Sequence, residues 1–323
     1  MDNLKAVTQN EVQNVMGNKV SRRKFISGVS AGVGAAAAVS LAAGCSNNNS
    51  GSNANPATPA PTIYNDTDIL NFALNLEYLE AEFYLRAVNG TGLAAADIGA
   101  KPGAVTGGAQ VNFATPAIQA YAMEIANDEM LHVQFLRKAL GSAAVDRPAI
   151  DLTGSFNAAA MAAGIGAAFN AFADENSFIV GAFTFEDVGV TAYHGAAKLI
   201  KDKGYLTAAA GILATEAYHA GEIRTILAYL GAVPATAQFL TYANQISALR
   251  GKASASVTIA SSGMAETPVS SSAIVAADSN SIAYDRTTDQ VLHIVYLNAT
   301  SGVVSKGGFF PNGLNGNITA SAF

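Results

Sequence analysis

Two short motifs constrain this chain more than anything else in it: Glu129-Met-Leu-His132 and Glu216-Ala-Tyr-His219. Each sets a carboxylate and an imidazole three residues apart, and on a helix positions i and i+3 lie on one face. Both side chains of a pair can therefore reach one metal ion. With four histidines and eleven glutamates among 323 residues, two such pairs arise by chance in fewer than roughly one chain in a hundred. Both pairs also fall on apolar stripes. The first reads Ile118, Ala122, Ile125, Glu129, His132, Leu136; the second reads Ala209, Ile212, Glu216, His219, Ile223, Ile226, Leu230. That spacing marks a helix face turned to a core, where an unpaired carboxylate is costly. A metal held between the helices removes the cost. The alternative is a hydrogen-bonded polar core without metal.

The flanking sequence predicts four long helices. The first spans 66–87, capped by Asn65 or Asp66. The second runs from the Thr115-Pro116 step, where proline fits a first turn, to the residue before Gly141. The third spans 174–201 and the fourth 205–230, closed by Gly231 and Pro234. A short helix at 157–163 and a further one at 235–249 are expected. The Gly-rich stretch 89–115 reads as a long loop. Beyond Gly251, Ser, Thr, Ala and Val dominate, and 251–323 reads as an irregular, partly β extension packed on the bundle. Within it 291–297 reads as a strand, after a turn at Asp285-Arg286-Thr287-Thr288. The run Gly307-Gly-Phe-Phe-Pro-Asn-Gly313 is too aromatic to rest in water.

The amino-terminal part has a different character. Ser21-Arg22-Arg23-Lys24-Phe25-Ile26 precedes a small-residue apolar stretch and then Ala42-Ala43-Gly44-Cys45. This resembles a twin-arginine export signal, read at Arg22 and Arg23, that ends in a lipoprotein cleavage box with Cys45 as the lipidated residue. A membrane span over 25–44 is weaker, because the stretch is short and rich in Gly and Ala; cleavage without lipid is the other alternative. The Asn/Ser/Pro/Ala run 46–62 reads as a flexible tether. The expected organisation is thus signal 1–45, linker 46–62, bundle 63–250 and extension 251–323. One cysteine permits no disulfide framework. After Cys45 the chain has 13 Lys/Arg against 22 Asp/Glu, which argues against nucleic acid as a partner. The expected partners are a small molecule or metal ion, and a membrane through the lipid anchor.

The chain also echoes itself. The first helix has Glu77 and, seven residues later, Tyr84; the third has Glu186 and, seven later, Tyr193. The second and fourth each bring Glu-x-x-His. Glu77, Glu129, His132, Glu186, Glu216 and His219 form the ligand set of a dinuclear carboxylate site: one Glu from each of two helices, Glu-x-x-His from each of the other two. Four carboxylates and two imidazoles suit two iron or two manganese ions. Zinc prefers fewer ligands, and copper more nitrogen or sulfur. No nucleotide or flavin is expected.

At these residues the chain resembles the ferritin-like superfamily over about 66–230, which implies a mainly α fold, a four-helix bundle with a long crossover between its second and third helices. The segments Leu74-Asn-Leu-Glu-Tyr-Leu-Glu-Ala-Glu-Phe-Tyr84 and Phe185-Glu-Asp-Val-Gly-Val-Thr-Ala-Tyr193 resemble an exported bacterial family with a ferritin-like domain, related to plant desiccation-related proteins. Superfamily members often place an Asp before the Glu of both Glu-x-x-His pairs, orienting a His across the site. Asp128 matches this pattern, but Thr215 departs from it, which implies a less symmetric site. The long loop after the first helix, the tail and the anchor are compatible with a homodimer and argue against a ferritin cage.

Other residues have competing readings. Glu80 shares a helix face with Glu77, and the Tyr84 spacing favours Glu77 as the ligand; Glu82 is expected to face solvent. Glu186 is preferred to Asp187 because it continues the stripe of Ile179, Phe183, Val190 and Tyr193. Tyr84, Tyr193, Asp128 and Glu80 are expected to support the ligands, against the plainer reading of the two tyrosines as core aromatics. His194 reads as a surface residue and His293 as structural. The leading functional expectation is oxidation chemistry at a dinuclear centre: ferrous iron oxidised, or peroxide or dioxygen consumed, protecting the cell envelope. A dimanganese catalase and a non-enzymatic desiccation scaffold are the alternatives.

Overall fold

The computed structural model of the protein describes residues 64–257 and 266–322. The export motif, Cys45 and the whole 46–62 tether lie outside the described residues. Among the described residues seven helices are formed: α1 Asp66–Asn89, α2 Pro116–Leu140, α3 Gly154–Ala163, α4 Glu175–Ala197, α5 Lys203–Ala232, α6 Ala237–Ala255 and α7 Thr288–Val295. Among these residues no helix is long and apolar enough to cross a membrane.

Local chemistry sets the boundaries. Asn65 caps α1 in a capping box with Asp68, and Gly90 ends it at φ 75°, a left-handed conformation that glycine adopts at little cost. Asp174 caps α4 by accepting from the Ser177 amide. That helix ends four residues before its predicted limit. The Asp66 carboxylate draws in the Lys201 and Asp202 amides, while Asp202 caps α5. Helix α6 runs six residues beyond its predicted end, and the added turns bury Arg250, Ala253 and Ser254.

Helix α1 packs mainly on α2 and α4 on α5, and the two hairpins meet along α1 and α4. The crossover 141–174 contains α3. Because α1 is covered on nearly all sides, it buries even Glu77, Glu80 and Glu82. Glu82 was expected in solvent, but the crossover folds Arg147 back over it and Arg86 completes the pairing at 2.9 Å. Next to it, Phe83 contacts the rings of Tyr84, Phe156, Phe172, Phe178 and Phe185, fixing the middle of α1 where the charged residues emerge.

The extension differs from its sequence reading in one respect. The segment 291–297 is not a strand: Thr287 and Gln290 form a capping box that starts α7. The β-branched and aromatic residues of 291–297 favour a strand by composition, but the cap and the apolar spacing 291, 292, 294, 295 decide for a helix. The only β ladder among the described residues lies elsewhere, with Val105 and Thr106 parallel to Ile150 and Asp151. In the extension there are isolated bridges only.

Two aromatic contacts join the described part of the extension to the helices. Phe309 lies between Phe156 and Phe185, with ring centroids 5.2 and 4.9 Å away. The backbone of Arg286 packs against α4 at Gly195, where a Cβ would sit 1.8 Å from the Arg286 carbonyl oxygen, so glycine is required there.

Candidate metal centre

Four helices aim six predicted side chains at one place. His132 Nδ1 lies 3.2 Å from Glu77 Oε2, 3.5 Å from Glu129 Oε2 and 3.8 Å from Glu216 Oε1. His219 Nδ1 lies 3.1 Å from Glu129 Oε1 and 3.6 Å from Glu186 Oε2. Two ligand groups result: Glu77, Glu129, His132 and Glu216 in one, and Glu129, Glu186 and His219 in the other, the donor atoms of each within 4.8 Å of one another. Glu129 belongs to both, one oxygen toward each imidazole. These groups can hold metal ions.

The surrounding side chains hold this arrangement across the hairpins. Tyr84 of α1 donates its hydroxyl to Glu186 of α4, and Tyr193 of α4 donates to Glu77 of α1. The seven-residue echo in the sequence thus becomes a reciprocal pair of hydrogen bonds. Asp128 Oδ2 lies 3.2 Å from His219 Nε2, which leaves Nδ1 to face the carboxylates. Thr215, at the matching place on α5, bonds the Gly211 carbonyl of its own helix instead. The His132 side therefore lacks the support that Asp128 gives His219.

Glu80 is buried and faces the same cluster. It lines the wall at Gly189, where a Cβ would lie 2.2 Å from Glu216 Oε2 and 3.4 Å from Glu80 Oε1. Asp187 turns away toward Arg224 and Arg250. His194 is half-buried and meets the Tyr284 carbonyl, while His293 is fully buried in the extension.

The electrostatics test whether cations fit. Burial pushes Glu80 and Glu216 well above the usual carboxylate range, and the neighbouring carboxylates add to it. Glu77 is pushed up to about 7 and Glu186 to about 8, burial again outweighing the adjoining imidazoles. For Glu129 burial is overcome by His132 and His219, which hold it below the ordinary range. Burial works against a charged imidazole, yet Glu77 and Glu129 raise His132 to about 11, and Glu129 and Glu186 raise His219 to about 9. Among the described residues both oxygens of Glu129, both of Glu216, one of Glu186 and Nδ1 of His219 are buried without a hydrogen-bond partner. Unmatched polar atoms of this kind are costly in a core. Hard cations that prefer oxygen and imidazole nitrogen satisfy all of them at once.

Gly189 leads to a direct test. Gly189→Ala should displace Glu216 while α4 stays helical, lowering metal affinity about 10–100-fold, as loss of a supporting contact does. Competition with a chelator measures it; unchanged affinity would remove Glu216 from the site.

A helical bundle with paired Glu-x-x-His motifs facing two further glutamates matches the ligand pattern of the ferritin-like carboxylate proteins. The ferritin-like domain family matches residues 65–229, and the chain belongs to that family. It is similar to the ferritin-like catalase Nec2 of Nesocodon mauritianus, 31% identical over 274 residues, covering 78% of this chain and 84% of that protein. It is also similar to the desiccation-related protein PCC13-62 of Craterostigma plantagineum, 29% identical over 242 residues, covering 70% and 76%.

Proposed function

We propose that this protein holds two ions of iron or manganese between α1, α2, α4 and α5 and consumes hydrogen peroxide there. The observation that carries the reading is the position of Glu129, whose two oxygens are divided between two imidazole–carboxylate groups. The reaction is dismutation: one peroxide is reduced to two waters, the other is oxidised to dioxygen, and the two electrons and two protons released by the second are taken up by the first. Two adjacent redox-active ions supply that two-electron exchange when bound. The protein's part is to hold the donors in place. Tyr84 and Tyr193 fix one oxygen each of Glu186 and Glu77, and Asp128 fixes the His219 ring. His132, with 11% of its side chain exposed, marks the side nearest solvent. Similarity over most of its length to a protein named as a catalase supports peroxide over ferrous iron as the substrate.

Metal analysis and an oxygen electrode test this together. The expected result is two Fe or Mn ions per chain, with one dioxygen evolved per two peroxides. Oxidation of ferrous iron without dioxygen evolution would replace the proposed reaction with iron oxidation. A folded protein that takes up neither metal would favour the scaffold reading, which the desiccation-related relative supports.

The reading places this chemistry outside the cytoplasm, on the strength of the Arg22-Arg23 motif and Cys45. Cys45→Ser is expected to move the protein from the membrane to the soluble fraction, because stable anchoring needs more than one acyl chain. Arg22→Lys with Arg23→Lys should retain the precursor in the cytoplasm. A mature amino terminus lacking Cys45 would count against lipidation.

A further inference from the structure

A cavity of about 40 Å³ lies behind the carboxylate cluster, between α1, α3, α4, α6 and the extension. Its inner end is formed by Glu80 and Gly189. Its outer end is formed by Leu249, Leu297 and Ala299, all half-buried. Of its other polar lining groups, Arg250 is committed to Asp187, Glu266 and the Phe183 carbonyl, and Thr184 donates to the Val180 carbonyl. The rest of the wall is aliphatic and aromatic.

From this we infer that the cavity is a site for dioxygen, the apolar product of the reaction proposed above, and its route away from the carboxylate cluster. The inference rests on that reading for the identity of the gas. Size and polarity select the occupant. A water needs about 10–15 Å³ by this measure and two to four polar partners. The cavity has room for about three such bodies but offers almost no partners, so water and peroxide are disfavoured in it. An acyl chain or sugar is too large. A diatomic gas makes no hydrogen bonds, gains dispersion contacts with the walls and fits.

The mouth adds a second observation. Leu297 sits at φ 55°, a left-handed conformation that costs a branched residue about 1 kcal/mol or more and usually goes to glycine after a helix. The leucine places an apolar side chain on the outer wall of the cavity, where glycine would leave a gap. Polar peroxide then has the His132 side, and dioxygen the dry side at Glu80 and Gly189.

Xenon is the probe. Crystals of the metal-loaded full chain pressurised with xenon should show an anomalous peak between Leu297 and Gly189. Ala253→Leu, which extends a wall residue into the space, should abolish the peak and lower kcat at saturating peroxide several-fold with metal content unchanged. A wild-type crystal that takes up xenon elsewhere but not here would overturn the inference, as would an ordered organic ligand found in the cavity of the purified protein. The wild-type result decides even if the leucine variant fails to fold. Xenon in the cavity of a protein without peroxide activity would leave the gas site standing and remove the proposed reaction. Activity with no xenon in the cavity would remove the gas site alone.

Discussion

Replacing Glu129 with alanine is expected to empty both metal positions, whereas His132→Ala should empty one. The difference follows from geometry. Glu129 Oε2 is 3.5 Å from the His132 ring and Oε1 is 3.1 Å from the His219 ring, so one side chain serves both ligand groups. His132 serves only the group with Glu77 and Glu216. Removing a shared ligand deletes a bond to each ion and leaves the remaining carboxylates facing one another across an uncompensated gap. Metal analysis should find no bound ion in Glu129→Ala, against two in the wild type, and peroxide consumption should fall to background. The fold should survive, because α1, α2, α4 and α5 are held by apolar contacts above and below the cluster. A ligand bound to the folded state at 1,000 times its dissociation constant stabilises by about 4 kcal/mol. A chelator should therefore lower the melting temperature of the wild type and leave that of Glu129→Ala unchanged. Full metal content in Glu129→Ala would dismiss the bridging role.

The convergence of these side chains was legible in sequence for a physical reason. Helical periodicity is local, and a charged residue recurring on an apolar stripe declares that something on the far side neutralises it. The Glu–Tyr echo at a spacing of seven was legible too, although its use was not. That each tyrosine serves the other hairpin's glutamate depends on how α1 and α4 face each other. Features set by contacts distant in sequence were not legible. Glu82 looked solvent-facing because nothing near it in sequence pairs with it except Arg86; its second partner, Arg147, lies 65 residues on. Helix α7 reads as a strand because its β-branched residues Val291, Ile294 and Val295 favour one, although the apolar positions 291, 292, 294 and 295 also keep a helical spacing. Its start was written in the Thr287–Gln290 capping box, a cue available without any structure. The asymmetry announced by Thr215 in place of an aspartate is present: that hydroxyl bonds its own helix.

Glu266→Gln should cost more stability than Arg250→Met, although both residues belong to one buried network. Asp187 of α4 receives Arg224 of α5 at 2.8 Å and Arg250 of α6 at 2.7 Å; Glu266 receives Arg250 at 2.8 Å and also Arg286. Three guanidiniums thus share two carboxylates in the interior, joining three helices to the extension. Loss of Arg250 leaves two cations against two anions, and its main costs are the hydrogen bond to the Phe183 carbonyl and the stacking over the Phe183 ring at 4.4 Å. Loss of the Glu266 charge leaves three buried cations against one anion, and breaking a buried pair this way costs about 3–5 kcal/mol. Protonation does the same as the glutamine substitution. Burial works to raise the Glu266 carboxyl, but Arg250 and Arg286 outweigh it and hold it at about 2, against an ordinary value near 4.5. A depressed carboxylate contributes stability that is present in full above its unfolded pKa and is lost as pH falls toward its folded one. The wild type should therefore lose stability between about pH 4.5 and 2, and Glu266→Gln, already without that contribution, should lose less over the same window. Chemical denaturation of metal-free protein across that range separates this network from the metal centre. Parallel losses in wild type and variant would show that the acid sensitivity lies elsewhere.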